Sequence, residues 1–356
     1  MKELPICSGN KYKPKQLRCC IAATVGNIHR PNLYQRVKYH TSIWQICGYG
    51  AICPRLAFVR DVFTMQWGVG IYAVLAFLAT SAYARLLGTD GFGAYAVVLA
   101  FVGTITTLLQ FGQGSALLVF LAEELGKGNR RAMAAVIRNY LHISFLNGVV
   151  LVLLAFFSTN LSQMFYGSPQ IGMYARMLFL YNAVDTGNSM VLIVLQAMRK
   201  IRLKVLLEQS QNCLTVIVAV SALLLGFGIM GVVSAPLLVS LCFLAVNPLV
   251  LRKAGKGTGI PSVSEILDVR FAETKTYLMQ GILISVEKNL GNLFPQGLYF
   301  LLSLIAPRAL VGIVRIAVQV SHLGRTFLFG PIGDVSLTVL ARQRGQGLAL
   351  LTKNGL

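Results

Sequence analysis

The chain has 356 residues, 55% of them hydrophobic and only 12% charged, and its mean hydropathy is +0.67. Soluble domains carry about 25% charged residues, so this balance excludes an ordinary globular protein and points to a polytopic membrane protein. The formal net charge of +20 invites a nucleic-acid reading. The basic residues, however, fall in the N-terminal segment and in alternate loops, which is the signature of membrane topology and of contact with anionic lipid headgroups.

Residues 1–57 are basic and irregular, with Glu3 as their one acid. The apolar run 43–52 is too short to span a bilayer, and no signal-peptide order of segments is present. This stretch reads as a poorly ordered cytoplasmic extension. Five of the seven cysteines lie here without a CxxC pair, so no metal site is expected. Cys213 and Cys242 sit in apolar segments and read as small buried hydrophobes.

Eight candidate spans follow, at residues 63–86, 92–113, 141–165, 172–197, 207–228, 230–251, 276–305 and 308–330. Each is long enough for a ~30 Å hydrocarbon core at about 1.5 Å per residue. Residues 126–140 read as an amphipathic helix on the cytoplasmic face, with Met133, Val136, Ile137 and Tyr140 recurring at three and four. Lys and Arg crowd the loops after spans 2, 4 and 6 and the tail, whereas the opposite loops hold only Arg85, Arg176 and Arg308. By the positive-inside rule both termini lie in the cytoplasm of a cell that keeps the chain in its inner (plasma) membrane.

The fold expected is all-α: a membrane helical bundle of about eight transmembrane helices. Residues 58–251 form a complete six-helix lobe, 252–275 a cytoplasmic linker, 276–345 the first hairpin of a second lobe and 346–356 a cytoplasmic tail. No Walker, HExxH, CxxC or Gly-x-Ser-x-Gly motif appears, so no cofactor and no enzyme chemistry is expected. Gly88-Thr-Asp-Gly-Phe-Gly93 joins two membrane helices and follows no strand, which argues against a dinucleotide site.

Polar side chains inside the spans are the candidates for function, because a charge near the bilayer centre costs about 2.5–3.5 kcal/mol on insertion scales. Arg308, Arg315, Gln319 and His322 share a narrow sector of span 8, with Arg325 roughly 80° away. Span 7 places Lys288, Asn289, Asn292 and Gln296 on one side, with Pro295 as a kink. Asp185 shares a face of span 4 with Asn182, Ser189 and Gln196. A cationic stripe turned inward suggests a path for an anionic substrate.

An internal repeat supports two halves. Ala84–Tyr95 makes a short outward turn, and the following helix leaves through Leu121-Ala-Glu-Glu-Leu-Gly-Lys-Gly128. The last hairpin turns at Leu304–Gly312 and leaves through Leu340-Ala-Arg-Gln-Arg-Gly-Gln-Gly347. Both copies enter from the same side, so the repeat is parallel. These residues resemble the polysaccharide biosynthesis family of lipid-linked oligosaccharide (O-antigen type) flippases, within the multidrug/oligosaccharidyl-lipid/polysaccharide exporter superfamily.

The resemblance covers roughly residues 58–347. It implies two six-helix lobes around a cavity, alternating access, and an undecaprenyl-diphosphate-linked glycan as cargo. Against that pattern the chain reads as C-terminally shortened, to be completed by a second polypeptide or by self-association. Membrane lipids are the other expected partner, and nucleic acid is not one. On this reading Lys288, Arg315 and Arg325 meet the diphosphate, and Asn289, Asn292, Gln296 and Gln319 meet sugar hydroxyls. The amides serve equally well as interhelical glue. Asp185 is a salt-bridge partner or a proton-coupled acid, with the partner role preferred. The alternatives are a drug/cation antiporter of the same superfamily, which would want an acidic cavity, and a non-transporting remnant. A membrane glycan polymerase or ligase would want a sizeable outward loop, which is missing here.

Overall fold

The computed structural model describes residues 52–109, 113–255, 263–268 and 293–353, together with Pro261 and Gly281. The expected extension, apart from residues 52–57, lies outside the described residues, as do Lys288, Asn289 and Asn292. Packing is described for the unit that begins at Phe58.

Among the described residues every element is helical, as the bilayer demands when each backbone polar group must find its partner within the segment. In chain order they are α1 (Ile52–Leu109), α2 (Gln113–Lys127), α3 (Arg130–Tyr166), α4 (Pro169–Ala197), α5 (Ile201–Leu224), α6 (Gly228–Gly255), the short α7 (Val263–Asp268), α8 (Leu293–Ile305) and α9 (Arg308–Lys353). Five of them, α1 and α3–α6, are long and apolar enough to cross a membrane. α1 carries the first two predicted spans in one element, broken at Gly88 with φ 68° and ψ 179°. A side chain there would meet the left-handed steric penalty, so glycine lets the chain reverse without a separate loop. Predicted span 8 lies within α9, and the described part of span 7 is α8.

The turns follow capping chemistry. Asn129 accepts the Ala132 N–H at 3.2 Å to start α3, and Gly167 in the left-handed region closes it. Pro169 then opens α4, where its missing N–H costs nothing. The Asn129 cap also decides the fate of the amphipathic segment. It is not a separate surface helix: residues 130–140 are the first turns of α3 itself. Met133, Val136, Ile137 and Tyr140 are buried against Leu117, Leu118 and Leu121 of α2. The periodic face was real, but protein rather than lipid covers it.

The molecule is apolar outside. Trp67 is 72% exposed, Phe145 76% and Met164 82%, while Asn188, Ser240 and Asn247 are buried. This inversion explains a correction: Cys213 and Cys242 are exposed, not buried. Apolar neighbours in sequence mark the interior of a soluble protein, but on a membrane helix they equally mark the lipid side.

The two copies of the repeat meet. α2 packs along α9, and a Cβ on Gly126 would run into the Arg342 carbonyl. Reciprocally, a Cβ on Gly345 would run into the Glu123 carbonyl. Gly126 matches Gly345 and Glu123 matches Arg342 in the repeat, so the backbone approach is reciprocal between its two copies. The same offset pairs Gly93 with Gly312, which also lie together at the other end. Beside the first joint, Lys127 reaches Glu123 at 2.9 Å and Glu124 at 2.6 Å. Burial alone would lower the pKa of its ammonium, but the bonds and charges of Glu124 and Glu123 outweigh it and raise the value.

A second lock joins α1 to the α4–α5 turn. Arg199 has φ 60°, unusual for a residue with a Cβ, and its guanidinium reaches the buried Asp61 carboxylate at 2.6 and 3.2 Å. Lys200 donates to the Ala254 carbonyl. Arg199→Gly would relieve about 1 kcal/mol of backbone strain but leave Asp61 buried without its cation. The latter costs roughly 1–3 kcal/mol once partial screening is allowed for. Arg199→Gly is therefore expected to lower the thermal midpoint in detergent, and adding Asp61→Asn to restore most of it. A stable Arg199→Gly single variant would show that the ion pair contributes less than the strain it imposes.

Candidate functional site

A cavity of about 480 Å³ opens between both arms of α1 and helices α4, α5, α6 and α9. The first arm of α1 presents Tyr72, Ala76, Thr80 and Tyr83, a run at helical spacing, and the second arm adds Phe92 and Tyr95. Tyr181 comes from α4, Asn212 and Thr215 from α5, and Pro236 from α6. Arg315 and Gln319, one turn apart on α9, complete the wall. The Gly88 reversal is what sets Tyr83 against Tyr95, edge to face with centroids 5.9 Å apart.

Among the described residues Arg315 is the one cation in this wall, and no carboxylate pairs with it. Its guanidinium carbon instead lies 5.5 Å from the centre of the Tyr299 ring on α8, and it is close enough to Tyr95 to interact electrostatically. A cation over a tyrosine face gains about 0.5–2 kcal/mol, which offsets only part of the burial cost of the charge. Among the described residues no hydrogen-bond acceptor takes up the guanidinium donors, which suit an anion. Gln319 is tied down differently: Thr80 donates to its Oε1 at 3.1 Å, and its Nε2 donates to the Ala76 carbonyl at 3.4 Å. It serves as interhelical glue and as cavity wall at once.

The other candidates lie elsewhere. Gln296 on α8 packs against Gly103, and its carbonyl accepts the Thr104 hydroxyl at 3.0 Å. Neither it nor Asp185 lines the cavity. Asp185 accepts from Gln211 Nε2 at 3.1 Å, Ser240 at 3.2 Å and Ser189 at 3.4 Å. Ser240 in turn takes the Asn188 amide at 2.7 Å, and Asn247 donates to Asn188 at 2.9 Å. These partners are neutral, and among the described residues no lysine or arginine reaches the carboxylate, so hydrogen bonds stand where a salt bridge was expected. The network ties α4, α5 and α6 together. His322 and Arg325 lie on α9, but their side chains are outside the described residues. Arg85 and Arg308 are exposed beside the Gly88 reversal and at the start of α9, as interface anchors would be.

Sequence reasoning missed the tyrosines. A tyrosine in an apolar run signals core or interface as readily as a site, and Tyr72, Tyr95 and Tyr181 come together only through the packing of three helical segments.

The polysaccharide biosynthesis protein family matches residues 58–342. No curated protein sequence matches the chain. Among solved structures, the MATE multidrug transporter DinF-BH is similar at a TM-score of 0.69 and 15% identity, over 83% of this chain and 66% of that one. A multidrug resistance MATE family transporter of the MOP superfamily, in an outward-facing conformation, is similar at 0.63 and 17%, over 84% and 68%. The eukaryotic MATE transporter AtDTX14 is similar at 0.56 and 17%, over 82% and 67%. The chain thus spans about two thirds of the length of these structures. With a family match over residues 58–342 and a multi-pass helical fold shared with these structures, the chain belongs to the polysaccharide biosynthesis protein family.

Proposed function

We propose that the chain takes part in flipping an undecaprenyl-diphosphate-linked oligosaccharide across the inner membrane for surface polysaccharide synthesis, with both termini in the cytoplasm. The observation that carries this reading is Arg315: a cation in a membrane-embedded cavity with no acid to pair with it among the described residues. A diphosphate cannot enter hydrocarbon without losing its hydration, and a guanidinium fork replaces that hydration with directed donors. The neutral donors and acceptors around it suit sugar hydroxyls. An organic cation, the cargo of a drug antiporter, would meet repulsion from Arg315 and no carboxylate in the described wall.

The direct test is binding by the purified protein. Undecaprenyl diphosphate should raise the thermal midpoint, and undecaprenol, which has the same chain without the charge, should raise it less. Equal shifts from the two lipids, or a larger shift from tetraphenylphosphonium, would reject the reading.

A further inference from the structure

The diphosphate accounts for Arg315, but not for the rest of the wall. Tyr72 is 47% exposed and Tyr181 is half-buried, so both rings are open to the cavity they line. Tyr83, at 8% exposure, is fixed edge-on against Tyr95, and Phe92 holds Tyr95 from another side at 6.1 Å. The result is a rigid aromatic pair with two more accessible rings beside it. Thr80, Asn212, Thr215 and Gln319 supply uncharged hydrogen-bonding groups between the rings.

This mixture has a chemical meaning. Thr80, Thr215 and Gln319 already bond within the protein, but a hydrocarbon chain would offer nothing to the Asn212 amide or to the open lone pairs of the two hydroxyls. A cation would use the ring faces but would be repelled by Arg315. A sugar ring is amphipathic: its axial C–H bonds form a weakly positive, apolar face, and its hydroxyls form a polar rim. The face suits the negative face of a tyrosine ring, and the rim suits the neutral groups around it. Because the first sugar is joined directly to the diphosphate, anchoring the phosphates at Arg315 delivers that sugar to this same wall.

Building on the proposed lipid-diphosphate cargo, we propose that Tyr72 and Tyr181 are stacking platforms for the sugar next to the diphosphate, so that the cavity selects a glycosylated lipid diphosphate over a bare one. Tyr83 and Tyr95 are positioning residues that hold the wall rigid. Selectivity then rests on ring faces rather than on hydroxyls, so a phenylalanine can replace a platform tyrosine and an alanine cannot.

The experiment compares two probes on the purified full chain in nanodiscs: undecaprenyl diphosphate and undecaprenyl-diphosphate-N-acetylglucosamine. Wild type should bind the glycosylated probe more tightly. Tyr72→Ala and Tyr181→Ala should each cut the ratio of the two affinities by about two- to tenfold, in variants that elute as wild type does on size exclusion. Tyr72→Phe and Tyr181→Phe should keep the advantage. If wild type binds both probes equally, or the alanine variants keep the full advantage, the platforms are refuted while the lipid-diphosphate reading survives. If the phenylalanine variants lose as much as the alanine variants, the hydroxyls and not the ring faces carry selectivity, which also overturns the proposal. If wild type binds neither probe, the lipid-diphosphate reading fails and the platforms fall with it.

Discussion

Under the proposed function, replacing Arg315 by alanine is expected to leave the protein folded and inserted but to slow translocation sharply. Each hydrogen bond between a guanidinium and a charged acceptor contributes about 1.5–3 kcal/mol, so losing even one slows passage by roughly tenfold or more. Arg315→Lys keeps the charge and loses the planar fork, so it should fall between wild type and alanine. Stability should move the other way. Arg315 has no acid partner among the described residues to leave behind, and removing a charge from a span favours insertion by about 2.5–3.5 kcal/mol. Among the described residues the losses are the contact with Tyr299, at about 0.5–2 kcal/mol, and the electrostatic interaction with Tyr95. Arg308→Ala is the control, since that side chain is exposed and its head can stay in interfacial water. The readout is lipid-linked glycan accumulating on the cytoplasmic leaflet of cells that depend on the transporter. Normal translocation by Arg315→Ala at normal expression would leave Arg315 as a packing partner of Tyr299 and nothing more.

The second large effect is expected at the joint between the halves, where two substitutions of the same kind should have opposite signs. Gly345→Ala puts a methyl group into the Glu123 backbone, which cannot yield as a side-chain tip would. Overpacking of this kind costs about 1–3 kcal/mol, and the loss should appear as a lower thermal midpoint. Gly347→Ala, two residues along the same helix, meets nothing within 4 Å. There the change only replaces a poor helix former with a good one, and should stabilise by up to about 1 kcal/mol. Gly126→Ala should behave like Gly345→Ala. If Gly345→Ala and Gly347→Ala are equally stable, α2 and α9 do not meet as closely as described.

Much of this architecture was legible because the bilayer imposes a one-dimensional rule. Apolar length gave the helices, and the turn read within Ala84–Tyr95 holds the Gly88 reversal between two predicted spans that share α1. Arg315 and Gln319 were legible as a face because a charge and an amide one turn apart in an apolar helix have few uses. What sequence could not supply was the partner of each group. The carboxylate of Asp185 announced itself, but Gln211 and Ser240 stand on other helices with no local mark. The exposure of Cys213 and Cys242 was misread because hydropathy does not separate lipid from core. The repeat was visible as spacing, yet spacing alone says nothing about whether its two copies touch.

That contact has a mechanical side. Helices usually interlock through ridges of side chains, which must disengage before they can move. At Gly126 and Gly345 the helices meet backbone to backbone, so there are no teeth to disengage. Such a surface tolerates no added bulk, yet offers little friction to rolling about the line of contact. The failure to expect at this joint is therefore not lost adhesion but crowding: any side chain placed there would wedge the two helices apart.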